Sequence, residues 1–322
     1  MNNNIDDIFS DKLENEINTK IKRNRKKLNL QLISIGTIVT LLIIILSSIG
    51  LNLLSHKYIS DQFSKDLDIT AMKYQICYPD SYISNQKYLE TGLFKFQTTY
   101  TISKKIGGKL LLADLVNTPG GLSKNNISKE GWFISEPFPE INNDINSRPS
   151  TPYGLRELLF MYPYVNYPEN INDFNLLSEI DKDKTIEMAL SFNKEYDYTE
   201  VNQLIDSDLI SFYWTDDTRN LDDNISYNIE NNAYTSENSV IGIKSTRYNG
   251  TTIKNTDDRL SYFKDCINYF KENHDPNINS DIDLDNIKIS GIVVIGSPEQ
   301  LITLQNNPMI KHSILGNVVD KY

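Results

Sequence analysis

Cysteine and histidine are scarce in this chain: two cysteines and three histidines among 322 residues. Cys77 and Cys266 lie far apart, no C-x-x-C occurs, and His56, His274 and His312 stand alone. No zinc-binding spacing is present, so no metal and no other cofactor is expected. One cysteine pair is not a disulfide framework, and whether Cys77 and Cys266 pair stays open. Cys266 sits at the edge of a helically spaced stripe, Leu260, Phe263, Ile267 and Phe270, which predicts partial burial. Positive charge is also short: 32 Lys and Arg against 43 Asp and Glu give a net charge of −11. Nucleic acid requires a basic patch, so direct nucleic-acid binding is not expected. Ser/His/Asp and Cys/His catalytic patterns are missing as well, which argues against an enzyme. The run GSPEQ at 296–300 lacks the Gly-x-x-x-x-Gly-Lys-Ser/Thr of a phosphate loop. It reads as a helix start, with Ser297 as N-cap and Pro298 in the first position.

The most informative absence is charge between Leu28 and Ser55. Within it, Leu32–Leu54 is almost wholly apolar, and a spanning helix needs roughly 20 such residues. A cleaved signal has an apolar core of roughly 7–15 residues and a small-residue cleavage site. Here the core is longer, and Leu53-Leu54-Ser55-His56-Lys57-Tyr58 offers no such site. A transmembrane helix is therefore predicted. Lys22, Arg23, Arg25, Lys26 and Lys27 crowd its N-terminal flank, while Lys57 alone precedes Lys65 on the other. Basic flanks stay inside, which predicts a single-pass cell-membrane protein with a cytoplasmic N-terminus and an extracytoplasmic C-terminal part. The tail 1–27 carries +2, so the remainder carries −13.

In that tail Ile5, Ile8, Phe9, Leu13 and Ile17 recur every three or four positions, a slanting apolar stripe at about 100° per residue. A helix this short has no core of its own, and isolated short helices are marginal in water. Either it frays or lies on lipid, or it folds into a partner's groove, the reading favoured here. The acidic residues around Ile5–Leu13 oppose anionic lipid, whereas Lys22–Lys27 favour it. Ser34, Gly36, Ser47, Ser48 and Gly50 are small residues against which a second membrane protein could pack, though such residues are ordinary in spanning helices.

Beyond the span, Tyr58–Tyr74 predicts a connecting helix. Lys95–Ser103 and Lys109–Val116 read as strands around a Gly107-Gly108 turn. Asn117–Gly121 reads as a loop, Ser123–Pro152 as an irregular connection, and Tyr153–Tyr162 as a helix from the spacing of Leu155, Leu158, Leu159 and Tyr162. Further on, strands are expected at Thr185–Phe192, Leu209–Trp214, Val240–Ile243, Ile287–Ile295 and Ile314–Val319. Helices are expected at Tyr198–Ile205 and Asp257–Lys271, and a long loop over Asp216–Asn238. Asp216-Asp217 and Asp222-Asp223 read as solvated loop carboxylates rather than a Ca²⁺ site. Tyr162, Tyr164, Tyr167, Tyr213 and Trp214 read as core packing more than as a ligand groove. The fold class is α+β: one N-terminal transmembrane helix followed by extracytoplasmic sheet-and-helix sandwich domains.

Several blocks resemble a known family. Met188–Val201 (MALSFNKEYDYTEV), Phe212-Tyr213-Trp214, Gly291–Leu301 (GIVVIGSPEQL), Asn307-Pro308, and Leu315-Gly316 through Asp320-Lys321-Tyr322 resemble the sigma factor regulator C-terminal domain. Lys22–Lys27, the span, and the region from Tyr82-Ile83 to Gly92 resemble its N-terminal counterpart. The resemblance implies a membrane-bound anti-sigma factor of a Gram-positive bacterium, which holds a cytoplasmic extracytoplasmic-function sigma factor. The tail has no Cys or His, unlike zinc-type anti-sigma factors, so Ile5, Ile8, Phe9, Leu13 and Ile17 are the candidate contacts. The organisation expected is a tail at 1–27, a span at 28–55, a regulator N-terminal-like region at 56–150, a connection at 151–184 and a C-terminal-like domain at 185–322. The rival reading is a tethered extracytoplasmic module that binds a cell-wall or protein ligand, with the tail only an anchor.

Overall fold

The computed structural model describes residues 11–122, 148–167, 170–215, 234–273 and 282–321. It divides into two units, Met1–Ser60 and Asp61–Tyr322. Helix α1 (Asp11–Ile76) begins in the first and ends in the second.

The first unit is helical throughout its described residues, and its apolar stretch is long enough to cross a bilayer, with none of that stretch buried. The Thr37 hydroxyl donates to the Ile33 carbonyl at 2.9 Å and the Thr40 hydroxyl to the Gly36 carbonyl at 2.9 Å. These back-bonds satisfy the only hydroxyls that threonine brings to the apolar stretch, which hydrocarbon demands.

In the second unit, α1 ends at Ile76 and the chain turns into an antiparallel meander: β1 (Ser81–Gly92), β2 (Lys95–Ile106) and β3 (Lys109–Gly121). Gly107, at φ +58°, makes the tight turn expected of Gly107-Gly108. β2 alternates buried and less buried positions, with Phe96, Thr98, Tyr100, Ile102, Lys104 and Ile106 inward. Asn117–Gly121 is not a loop: it prolongs β3 and pairs with Lys95–Thr99. β3 lies at the sheet edge, the part of a sheet in which proline is tolerated, as at Pro119. Gly120 faces the Phe96 ring so closely that a Cβ there would sit 2.2 Å from it. The residues that read as a turn thus serve a strand that packs under an aromatic ring.

The larger sheet has five antiparallel strands in the order β10-β5-β9-β6-β8. These are β5 (Lys184–Asp197), β6 (Ile210–Thr215), β8 (Gly242–Lys244), β9 (Lys288–Gly296) and β10 (Ile310–Asp320). Both faces are covered. Met188, Leu190, Tyr213, Ile292 and Val294 join one core; Ala189, Phe212, Trp214, Val293 and Ile314 join the other. Burial on two sides explains why β9 is a continuous apolar run rather than an alternating one. Helix α2 (Tyr198–Leu204) and helix α3 (Thr256–Asn273) lie where helical periodicity places them, α3 burying Phe263, Ile267 and Phe270. Cys266 is more deeply buried than its edge position suggested, and its Sγ lies 3.5 Å from Met72 Sδ of α1. Cys77 is also buried, and no disulfide joins the two. Helix α4 (Pro298–Leu301) opens with the expected cap: Ser297 accepts from Gln300 N and the Gln300 side chain accepts from Ser297 N.

The helix expected at Tyr153–Tyr162 is absent. Leu159–Met161 is strand β4, paired with β7 (Tyr234–Ser236). Leu158, Leu159, Phe160 and Met161 are all buried, so four consecutive apolar residues needed cover on both sides, which a helical stripe cannot give. Gly154, at φ +80°, breaks any helix before it. β7 lies within the loop expected at Asp216–Asn238; residues 216–233, with Asp216, Asp217, Asp222 and Asp223, lie outside the described residues.

Candidate functional site

Two features carry functional argument: the N-terminal part of α1 and a buried charge cluster in the second unit. On α1, Leu13 is 46% exposed and Ile17 49%. Ile21, which the tail periodicity left out, continues their four-residue row and is equally open. Ile5, Ile8 and Phe9 lie outside the described residues. Lys22, Arg23, Arg25, Lys26 and Lys27 follow on the same helix, all exposed, directly before the apolar stretch. An apolar row facing solvent leaves on the order of 25 cal/mol per Å² of burial unclaimed, and a partner surface can claim it.

The second feature was not foreseen. Asp80, Lys104, Glu157, Glu187, Glu237 and Lys244 are each at most 7% exposed. Lys104 reaches from β2 to Glu187 on β5 at 2.8 Å and to Glu237, just after β7, at 2.6 Å. Asn317 Nδ2 donates to Glu187 at 2.8 Å, Asn238 Nδ2 to Glu157 at 2.9 Å, and Ser211 Oγ to Asp80 at 2.9 Å. Burial, then repulsion from Glu237, lifts Glu157 to about 8. Burial also lifts Glu237 to about 7, against the pull of Lys104. The surrounding carboxylates outweigh burial at Lys104 and hold its ammonium above the ordinary lysine range. The signal available in sequence was parity: Lys104 occupies an inward position of β2, and Glu187 interrupts the apolar run of β5.

Lys244 serves a separate purpose. Its ammonium donates to the carbonyls of Tyr74 at 2.8 Å, Tyr78 at 3.1 Å and Ser81. It closes the end of α1, where carbonyls lack helical partners and the dipole is negative. Burial lowers its pKa to about 8. Gln75 adds two bonds, donating to the Thr246 carbonyl and accepting from Tyr248 N. The C-terminal end of α1 is therefore held by β8 and the residues after it.

The five aromatic candidates do not form one groove. Tyr213 packs on Tyr198 and donates to Asn202, on the face opposite Trp214, which meets Phe160 and Tyr162. His312 is buried edge-on to Tyr167 and is held neutral by desolvation, its pKa lowered to about 4. Among the described residues, no group of three or more His, Cys, Asp or Glu is placed to hold a metal ion.

Comparison with known proteins agrees with this anatomy. Residues 18–110 match the family described as sigma factor regulator N-terminal, and residues 177–317 the family described as sigma factor regulator C-terminal. No curated protein and no solved structure matches the chain. The first match takes in the basic flank, the apolar stretch and the β1–β2 hairpin; the second takes in most of the five-stranded sheet. With both regulator regions present in order, the chain belongs to the sigma factor regulator family.

Proposed function

We propose that this regulator is a single-pass membrane anti-sigma factor. Residues 1–27 are cytoplasmic and hold an extracytoplasmic-function sigma factor through the row Ile5, Ile8, Phe9, Leu13 and Ile17. Residues 28–55 span the membrane, and the body beyond lies outside and responds to envelope conditions. The observation that carries this reading is the exposed apolar row immediately before a basic flank and a span, in a chain bearing sigma factor regulator regions. Orientation rests on the concentration of Lys and Arg at 22–27. Release follows either from a shift of the span against a second membrane protein or from proteolysis near the membrane.

Solubilising the intact protein from its own cells and identifying what co-purifies tests the proposal. A sigma factor retained by the full chain and lost on deletion of residues 1–27 supports it. Recovery of an extracellular partner alone, with the tail deletion making no difference, favours the tethered binding module.

A further inference from the structure

The end of the meander formed by the β1–β2 turn is one of two places where the meander exposes several leucines, the other being Leu110, Leu112 and Leu115 along β3. Leu89 and Leu122 are each 66% exposed and Leu93 is 52% exposed. The register places them together, because Gly92 pairs with Lys95 and Lys95 with Gly121. The turn itself is Leu93-Phe94, with Phe94 at φ +55°. Two-residue hairpin turns with left-handed backbone favour Gly, Asn or Asp, so a Leu-Phe pair there sets local preference aside. Single exposed leucines are ordinary in any protein; three of them beside an apolar turn are not.

The direction of this tip follows from contacts within the second unit. Tyr88 meets Phe63 at 4.8 Å between ring centroids, and Tyr100, the pairing partner of Gln86, donates to Asp66 at 2.7 Å. β1 therefore runs back along α1 toward the helix residues that come first in this unit. From Tyr88 the strand continues to Leu93 at about 3.4 Å per residue, whereas Asp61 is only about 3 Å along the helix from Phe63. The tip thus reaches on the order of 10 Å past the point where the chain joins this unit. Leu54, the last residue of the apolar stretch, lies seven positions before Asp61. Seven residues reach at most about 25 Å, so the chain's own span keeps a bilayer surface within that distance of Asp61. Charge agrees: between positions 87 and 95 Lys87 and Lys95 stand against Glu90 alone, in a chain otherwise strongly acidic. Basic groups around an apolar tip suit an anionic lipid surface.

We propose that Leu89, Leu93 and Leu122 insert into the headgroup region of the bilayer that anchors the chain, so that the meander tip is a second membrane contact. This rests on the reading that Leu32–Leu54 crosses the bilayer. The occupant is lipid rather than protein because the chain's own span holds a lipid surface within reach of the tip.

The test uses the full chain in phosphatidylglycerol/phosphatidylcholine vesicles, nitroxide-labelled at Leu93→Cys or, separately, Leu122→Cys. Leu110→Cys is the control, since Leu110 is 63% exposed, equally apolar, and at the opposite end of β3. Ile44→Cys reports on the span. Cys77 and Cys266 are buried and escape labelling in the folded protein. Collision with oxygen, which partitions into lipid, is compared with collision with a water-soluble nickel chelate. The expected result is an oxygen-to-nickel ratio at 93 and 122 at least threefold above that at 110, in the direction of the ratio at 44. Equal ratios at 93, 122 and 110, with 44 in lipid, overturn the tip contact and leave the span intact. Shielding of 93 and 122 from both reagents overturns it in favour of a protein partner. A label at 44 that meets the nickel chelate overturns the span and the tip contact together.

Discussion

Lys104 ties the meander to the five-stranded sheet through a buried ion pair. One ammonium neutralises parts of two carboxylates in a place closed to water. Removing one partner of a buried ion pair costs about 3–5 kcal/mol, because the other charge is left uncompensated. Lys104→Met in the full chain is therefore expected to lower the melting temperature by on the order of 10 °C. Adding Glu187→Gln and Glu237→Gln removes the orphaned charges and should recover part of the loss.

The same cluster fixes a pH dependence. Glu237 and Glu157 have pKa values raised from 4.5 to about 7 and about 8. A raised carboxyl gives its stability in full below the unfolded value and loses it as pH climbs through the folded value. Lys244 is lowered from 10.5 to about 8, so its share is present above 10.5 and lost as pH falls toward 8. Both effects make stability from these groups lowest near pH 8. Thermal melts should therefore show a midpoint that falls between pH 5 and pH 8, and Glu157→Gln with Glu237→Gln should flatten that slope. None of this cluster was read from the sequence. Its members come from six separate segments, and each looks like an ordinary charged residue until strand parity turns it inward.

At the scale of elements, legibility followed burial geometry. α3 and α4 were readable because a one-sided apolar stripe and a Ser297 N-cap followed by Pro298 are local signals. β9 was readable because it is covered on both faces. The same two-sided cover misled at Leu158–Met161: Leu155, Leu158, Leu159 and Tyr162 matched a helical spacing by coincidence, and the partner that decides the matter, β7, is remote in sequence. β3 outran its apparent end because an edge strand tolerates Pro119 and the Phe96 ring requires Gly120. The α1–β1 junction offers a direct test of an element. Lys244 donates to carbonyls at Tyr74, Tyr78 and Ser81, so Lys244→Met removes three bonds from this junction at once. Amide hydrogen exchange across residues 74–81 should speed up at least tenfold, with β9 unchanged. Uniform acceleration of both would mean global destabilisation instead.

For the whole molecule, the long apolar helix was the most legible property. A long uncharged stretch, its basic flank and an apolar tail row are all contiguous in sequence, so they needed no tertiary knowledge. The body was legible as α+β, while the way its meander is clasped to its sheet was not. The proposed grip of the tail row on a sigma factor is measured directly by recovery of that sigma factor with the full-length, membrane-extracted protein, comparing the natural chain with Leu13→Asp/Ile17→Asp. Both positions are exposed, so the substitutions spare the fold of the body. The double variant should recover at least tenfold less sigma factor, with the regulator's abundance in the membrane unchanged. Undiminished recovery from the double variant would contradict it.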